Sequence, residues 1–139
     1  MNRTTAAWLQ SFHFTLVIIA IACAPALQVK DVIDLPPPAG IGSRQEGDRV
    51  TVFWEKGAEQ QAENFNGYLL YFSTHSLTSV PFAELPKPVE LPPNTSEFIL
   101  VLQEQRPLFV HLRTRAGGNR ISLPSLPELI IKPASESQR

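Results

Sequence analysis

From residue 49 onward the chain runs in short stretches whose apolar residues fall at every second position, each stretch closed by Gly, Pro, Asn or polar residues. A period of two places alternate side chains on opposite faces of an extended strand, so such stretches predict half-buried β-strands. In R-V-T-V-F-W-E, Val50, Val52 and Trp54 alternate with Arg49, Thr51, Phe53 and Glu55, just after the turn residues Gly47-Asp48. The run Y-L-L-Y-F-S-T puts Tyr68, Leu70 and Phe72 on one face and Leu69, Tyr71 and Ser73 on the other. S-E-F-I-L-V-L is a dense β run, and L-F-V-H-L-R-T-R-A alternates up to the hairpin signal Gly117-Gly118-Asn119. R-I-S-L-P-S-L-P-E-L-I-I-K then reads as a last strand interrupted by prolines.

Between Pro81 and Pro93 five prolines break up weakly apolar sequence. Proline has no backbone donor for a ladder, so this region is expected to be loop or edge strand. Gly57 to Asn64 is polar and predicts a long connection with room for a helical turn. After the amino-terminal segment, no window carries an apolar stripe at helical spacing. Proline accounts for 13 of 139 residues, about twice the usual ~5 %, which argues against a helical bundle. Hydrophobic residues at 43 % and charged residues at 18 % support a buried core rather than a disordered chain. The expected fold class is all-β, an antiparallel β-sandwich of two sheets over residues 37–133, with a mobile polar tail at 134–139.

The order of these runs resembles a fibronectin type III domain. Trp54 near the end of the second strand, a third strand opening G-Y-L-L-Y-F-S from Gly67, and L-F-V-H-L-R-T-R-A-G-G-N-R-I-S each match that family's arrangement. The resemblance covers Pro37 to Pro133 and implies a sandwich of the immunoglobulin-like kind. In one respect the chain departs from it: Leu108 or Phe109 stands where the family has its corner tyrosine, so that corner would rely on packing alone.

The amino terminus reads as an address. Arg3 and polar residues precede an apolar run of 11 residues, Phe12 to Ala22, followed by Cys23, Ala24 and Pro25. That run is short of the ~20 residues needed to span a bilayer and has the layout of an export signal over 1–22. Ala20-Ile21-Ala22-Cys23 resembles the lipobox of bacterial lipoproteins, although Ala20 stands where leucine is usual. The resemblance implies lipidation at Cys23 and attachment to a membrane through a lipid anchor, in the bacterial cell envelope and with the outer membrane open as destination. Ala20 and Ala22 also satisfy an ordinary signal peptidase, which leaves a secreted protein as the alternative. Residues 23–36, ending in Pro36, Pro37 and Pro38, are expected to be a stiff spacer, or else Val29 to Leu35 forms a first strand that the prolines terminate.

Cys23 is the single cysteine, so no intramolecular disulfide forms and a cysteine-based metal site is not expected. Neither a nucleophile elbow, a phosphate-binding glycine loop, H-E-x-x-H nor an EF-hand pattern occurs. The expectation is therefore a non-catalytic protein without metal, cofactor or small-molecule substrate. The net charge of -1, or -2 once a signal containing Arg3 is removed, implies no general attraction to nucleic acid. If Leu108, Val110, Leu112 and Thr114 point inward, then His111, Arg113 and Arg115 face outward, with Arg120 across the hairpin and Leu69 and Tyr71 beside them on the third strand. That mix of arginine, tyrosine and leucine is a candidate contact face for a protein, a glycan or anionic head groups. The alternative is that the arginine stems merely cover the sheet. A structural subunit of an envelope complex and an accessory module of an enzyme are the other roles this sequence admits.

Overall fold

The computed structural model describes residues 35–103 and 106–133. The signal segment 1–22, Cys23, the spacer as far as residue 34 and the tail 134–139 lie outside the described residues.

Val50, Val52 and Trp54 are all buried, as their alternation requires, and they place one face of β2 (Arg49–Glu55) against the core. This strand is the centre of a three-stranded antiparallel sheet between β1 (Ala39–Glu46) and β5 (Glu97–Val101). The second sheet is ordered β4 (Val89–Leu91), β3 (Phe65–Ser73), β6 (Leu108–Ala116), β7 (Arg120–Ile121), with β8 (Leu129–Ile131) pairing the other end of β6. The two sheets face each other across one core. Tyr68 and Leu70 of β3 and Val110 and Leu112 of β6 meet Val50, Val52 and Trp54, while Phe98 and Leu100 of β5 lean in from the side. Each fully buried aliphatic side chain here contributes about 1.5–3 kcal/mol relative to exposure. Trp54 and Tyr68 meet edge to face at 5.3 Å between ring centroids, and Phe65 does the same with Tyr68.

The first strand was not foreseen. Ala39–Glu46 has a single large apolar residue, Ile41, and two glycines. It exists because its backbone pairs with β2 from Glu46↔Arg49 to Ala39↔Glu55, with a register shift between Ala39 and Gly42. The domain also begins earlier than expected. Leu35, assigned to the spacer, is buried, and the carbonyl of Pro36 accepts a hydrogen bond of 2.7 Å from the Thr114 hydroxyl. Thr114 sits on the inward face of β6, and a buried hydroxyl needs such a partner. The proline-rich stretch yields the short edge strand β4, and Gly118 and Asn119 take positive φ in the β6–β7 hairpin. The 57–64 connection contains one 3₁₀ turn, Ala58–Gln61.

Candidate interaction surfaces

The register of the larger sheet brings the expected contact residues together. Leu69 pairs with Arg113, Tyr71 with His111, and Gly67 with Arg115, so β3 and β6 present Leu69, Tyr71, His111, Arg113 and Arg115 on the face away from the core. That face is not free, and here the expectation is corrected: Leu69, Tyr71, His111 and Arg113 are 4 %, 3 %, 1 % and 8 % exposed. The chain covers its own sheet. After β3 the segment 74–88 folds back, and Leu77, Val80 and Leu85 pack with Leu69, Tyr71 and Ile121 into a second, smaller apolar cluster.

Glu128, just before β8, fastens this cover. Its carboxylate accepts from the Leu77 N–H and the Ser76 hydroxyl, both at 2.7 Å, and lies 3.0 Å from Nε2 of His111. Burial pushes the His111 imidazole below its ordinary pKa, a pull that Glu128 opposes and Arg113 reinforces. Protonation would put an N–H at Nδ1, which has no acceptor among the described residues. Arg113 donates from a terminal guanidinium nitrogen to the Ser122 carbonyl at 2.9 Å, and its guanidinium lies 5.4 Å from the Phe82 ring centre and 6.0 Å from that of Tyr71. Burial lowers the Arg113 pKa and raises that of the Tyr71 phenol, each partly offset by the other group.

The two remaining members lie nearer the rim. Arg115 pairs with Glu90 at 2.6 Å, and Arg120 donates to the carbonyls of Glu63 and Gly117. Both are half-buried. The larger sheet thus offers a partner only the margin of the face read from the sequence.

A different surface is open. On β2 and β5 the residues facing away from the core are Arg49, Thr51 and Phe53 beside Val101, Ile99 and Glu97, in that pairing. Ile99 and Val101 are 49 % and 63 % exposed. Phe53 leans over Gly42 and carries the Arg44 guanidinium 5.5 Å from its ring centre. The signal for this face was in the sequence: Phe98, Ile99, Leu100 and Val101 are consecutive apolar residues, so a strand with one face on the core must show apolar side chains on the other. Sequence reasoning also missed Glu59, which is 1 % exposed at the end of the sandwich. There Glu59 accepts from the Gly57 N–H at 2.9 Å and the Tyr68 hydroxyl at 3.0 Å, and Gln60 donates to the same hydroxyl. Burial is the chief reason the Tyr68 phenol titrates above its ordinary range.

A three-stranded β1-β2-β5 sheet packed on a β4-β3-β6-β7 sheet is the arrangement that decides the architecture. The fold is that of a fibronectin type III domain. The third fibronectin III domain of the human KIAA0343 protein superposes with a TM-score of 0.55 at 15 % identity, over 78 % of this chain and 89 % of that one. The chicken CNTN1 FN1-FN3 domains match with a TM-score of 0.52 at 11 % identity, over 70 % of this chain; the chain spans 32 % of that fragment. An Fn3-like protein from Clostridium thermocellum matches at 0.50 and 12 % identity, over 71 % of this chain and 93 % of that one. No family model matches the chain, and no curated protein matches it. At these identities the likeness is one of fold. Within the fibronectin type III framework, the covered sheet is the one that holds β3 and β6, and the open face belongs to the sheet that holds β2.

Proposed function

We propose that this chain is a non-catalytic interaction module of a bacterial cell envelope, held at a membrane surface by lipid on Cys23, and that its contact surface is the outer face of the three-stranded sheet. The observation that carries the reading is the exposure of Ile99 and Val101 beside Phe53, with Arg44 and Arg49 at the margin. Apolar side chains rimmed by arginine favour a protein partner. A glycan site would instead present converging polar groups, and the polar groups of the other sheet are engaged within the fold: His111 and Ser76 with Glu128, Arg113 with Ser122.

The test is the intact mass of the mature protein from its native host, beside a Cys23→Ala variant. The expected result is a chain beginning at Cys23 with acyl groups, and a variant that is left unprocessed or released from the membrane. An unacylated terminus near Cys23 would overturn the anchor and leave a secreted module. Gentle detergent extraction should then recover the protein partner, and its loss on changing Ile99→Asp and Val101→Asp would place the contact on this face.

A further inference from the structure

We propose that β5 pairs edge to edge with β5 of a second copy of this chain, across a two-fold axis at Ile99, to make one continuous six-stranded sheet. The inference deepens the reading of this sheet as the contact surface and does not depend on lipidation.

The hydrogen-bonding register of β5 is set by its neighbour. Trp54 donates to the Ser96 carbonyl and Leu102 donates to the Asp48 carbonyl. In an antiparallel ladder hydrogen-bonded pairs alternate with non-hydrogen-bonded ones, so Val52↔Phe98 and Val50↔Leu100 are bonded pairs. Glu97, Ile99 and Val101 therefore turn their N–H and C=O groups away from β2. Among the described residues no strand pairs with that side.

The other edges of the sandwich are protected against such pairing, and this one is not. β1 has its register shift and a positive φ at Gly40. β4 is three residues long, between Pro88 and Pro92, and β7 and β8 are separated by a segment carrying Pro124 and Pro127. Irregularity, shortness and proline are the usual means of blocking an edge. β5 is five residues of E-F-I-L-V, without proline, glycine or lysine, and its register with β2 runs unbroken.

A second copy is the occupant because the pattern is self-complementary. With the axis at Ile99, the outward-turned groups of Glu97, Ile99 and Val101 all meet counterparts, Ile99 against Ile99 and Glu97 against Val101 of the other copy. On the outer face Arg49 already stands beside Val101. Glu97 of the second copy would stand on the other side of Val101, two strand spacings or about 10 Å from Arg49, a distance their extended side chains close. The same row is repeated by symmetry. Apolar meets apolar at the axis, and opposite charges flank it on both sides. Edge pairing of this length buries less than the ~800 Å² per partner of a standard interface, so the dimer forms at high protein concentration.

Disulfide trapping of the full chain in mild detergent, in a Cys23→Ser background, tests the register. Opposed residues of a bonded antiparallel pair have Cα atoms about 5.5 Å apart, within disulfide reach. Ile99→Cys should give a covalent dimer. Val101→Cys should not, since its copies lie about 14 Å apart, four residues of strand. Mixing Glu97→Cys with Val101→Cys should give the mixed dimer. Sedimentation of the full chain should show a dimer at high concentration that is lost in Ile99→Lys, with the thermal midpoint of the dilute, monomeric chain unchanged because Ile99 lies outside the core. Equal trapping at positions 99 and 101, no trapping at 99, trapping of 99 on another polypeptide alone, or an Ile99→Lys chain that sediments like the parent would each overturn the proposal.

Discussion

Nε2 of His111 and Oε1 of Glu128 lie 3.0 Å apart beneath the segment that covers the larger sheet. The same carboxylate holds the Leu77 N–H and the Ser76 hydroxyl, so one acidic side chain joins β6, the 74–88 cover and the approach to β8.

The burial of His111, which Glu128 offsets only in part, makes the domain sensitive to acid. Burial holds the folded His111 pKa below its ordinary value, about 6.5 in the unfolded chain. The unfolded chain therefore takes the proton first as pH falls, and stability rises with pH through that window. The contribution is complete above about pH 6.5 and is lost as pH falls from there toward the folded value, by at most about 1.4 kcal/mol per unit. Urea denaturation at a series of pH values from about 7.5 down to about 5 should show the midpoint falling. His111→Gln, which keeps a donor toward Glu128 and cannot titrate, should flatten that dependence; an unchanged slope would assign the acid sensitivity to another group.

Arg113 is the second polar group under the cover, and its planarity matters. A guanidinium can lie against the Phe82 and Tyr71 rings while donating sideways to the Ser122 carbonyl, whereas an ammonium is strongly hydrated and has no flat face. Arg113→Lys should therefore destabilise the domain by about 1–2 kcal/mol despite keeping the charge. Equilibrium urea denaturation measures this, and a change under about 0.5 kcal/mol would mean that the stacking contributes little.

What was legible in the sequence, and what was not, follows from where the information resides. The inward sets Val50, Val52, Trp54 and Tyr68, Leu70 were readable because a period of two is a local signal. Ala39–Glu46 carries no such signal, because pairing with β2 makes it a strand. The orientation of His111 and Arg113 away from the core was also readable, but their burial was not. It depends on Leu77, Val80 and Leu85, irregularly spaced in a proline-rich segment, and on Glu128, which bonds Leu77 from 51 residues away. Nothing local marks Glu59 for burial, because A-E-Q-Q-A-E holds no large apolar residue; the Tyr68 hydroxyl, brought over it by the fold, joins the Gly57 N–H in satisfying its buried side chain.

Tyr68→Phe tests that last point. The ring stays in the core and keeps its edge contacts with Trp54 and Phe65, but Glu59 loses a donor and is left with the Gly57 N–H. A buried acceptor deprived of its partner costs roughly 1–3 kcal/mol, more when it is charged. Equilibrium urea denaturation should show the variant less stable by that amount, with a lower midpoint. A neutral result would mean that water reaches Glu59 once the hydroxyl is gone.

Gly67 and Gly47 separate two reasons for glycine. Both have positive φ, +113° and +61°, but a Cβ on Gly67 would stand 2.1 Å from the Leu91 carbonyl oxygen, whereas one on Gly47 meets nothing within 4 Å. At Gly47, in the β1–β2 turn, alanine suffers only the left-handed backbone penalty, about 1–2 kcal/mol. At Gly67 the obstacle is the backbone of the neighbouring strand, which can yield only by moving β4 away from β3. Gly67→Ala should therefore cost roughly 3 kcal/mol or more, combining backbone strain with the forced displacement, and should free the amide protons of the β3–β4 ladder to exchange. Thermal denaturation of the two variants side by side decides it. Equal losses would show that the β3–β4 contact adjusts freely and that φ alone selects glycine at both positions.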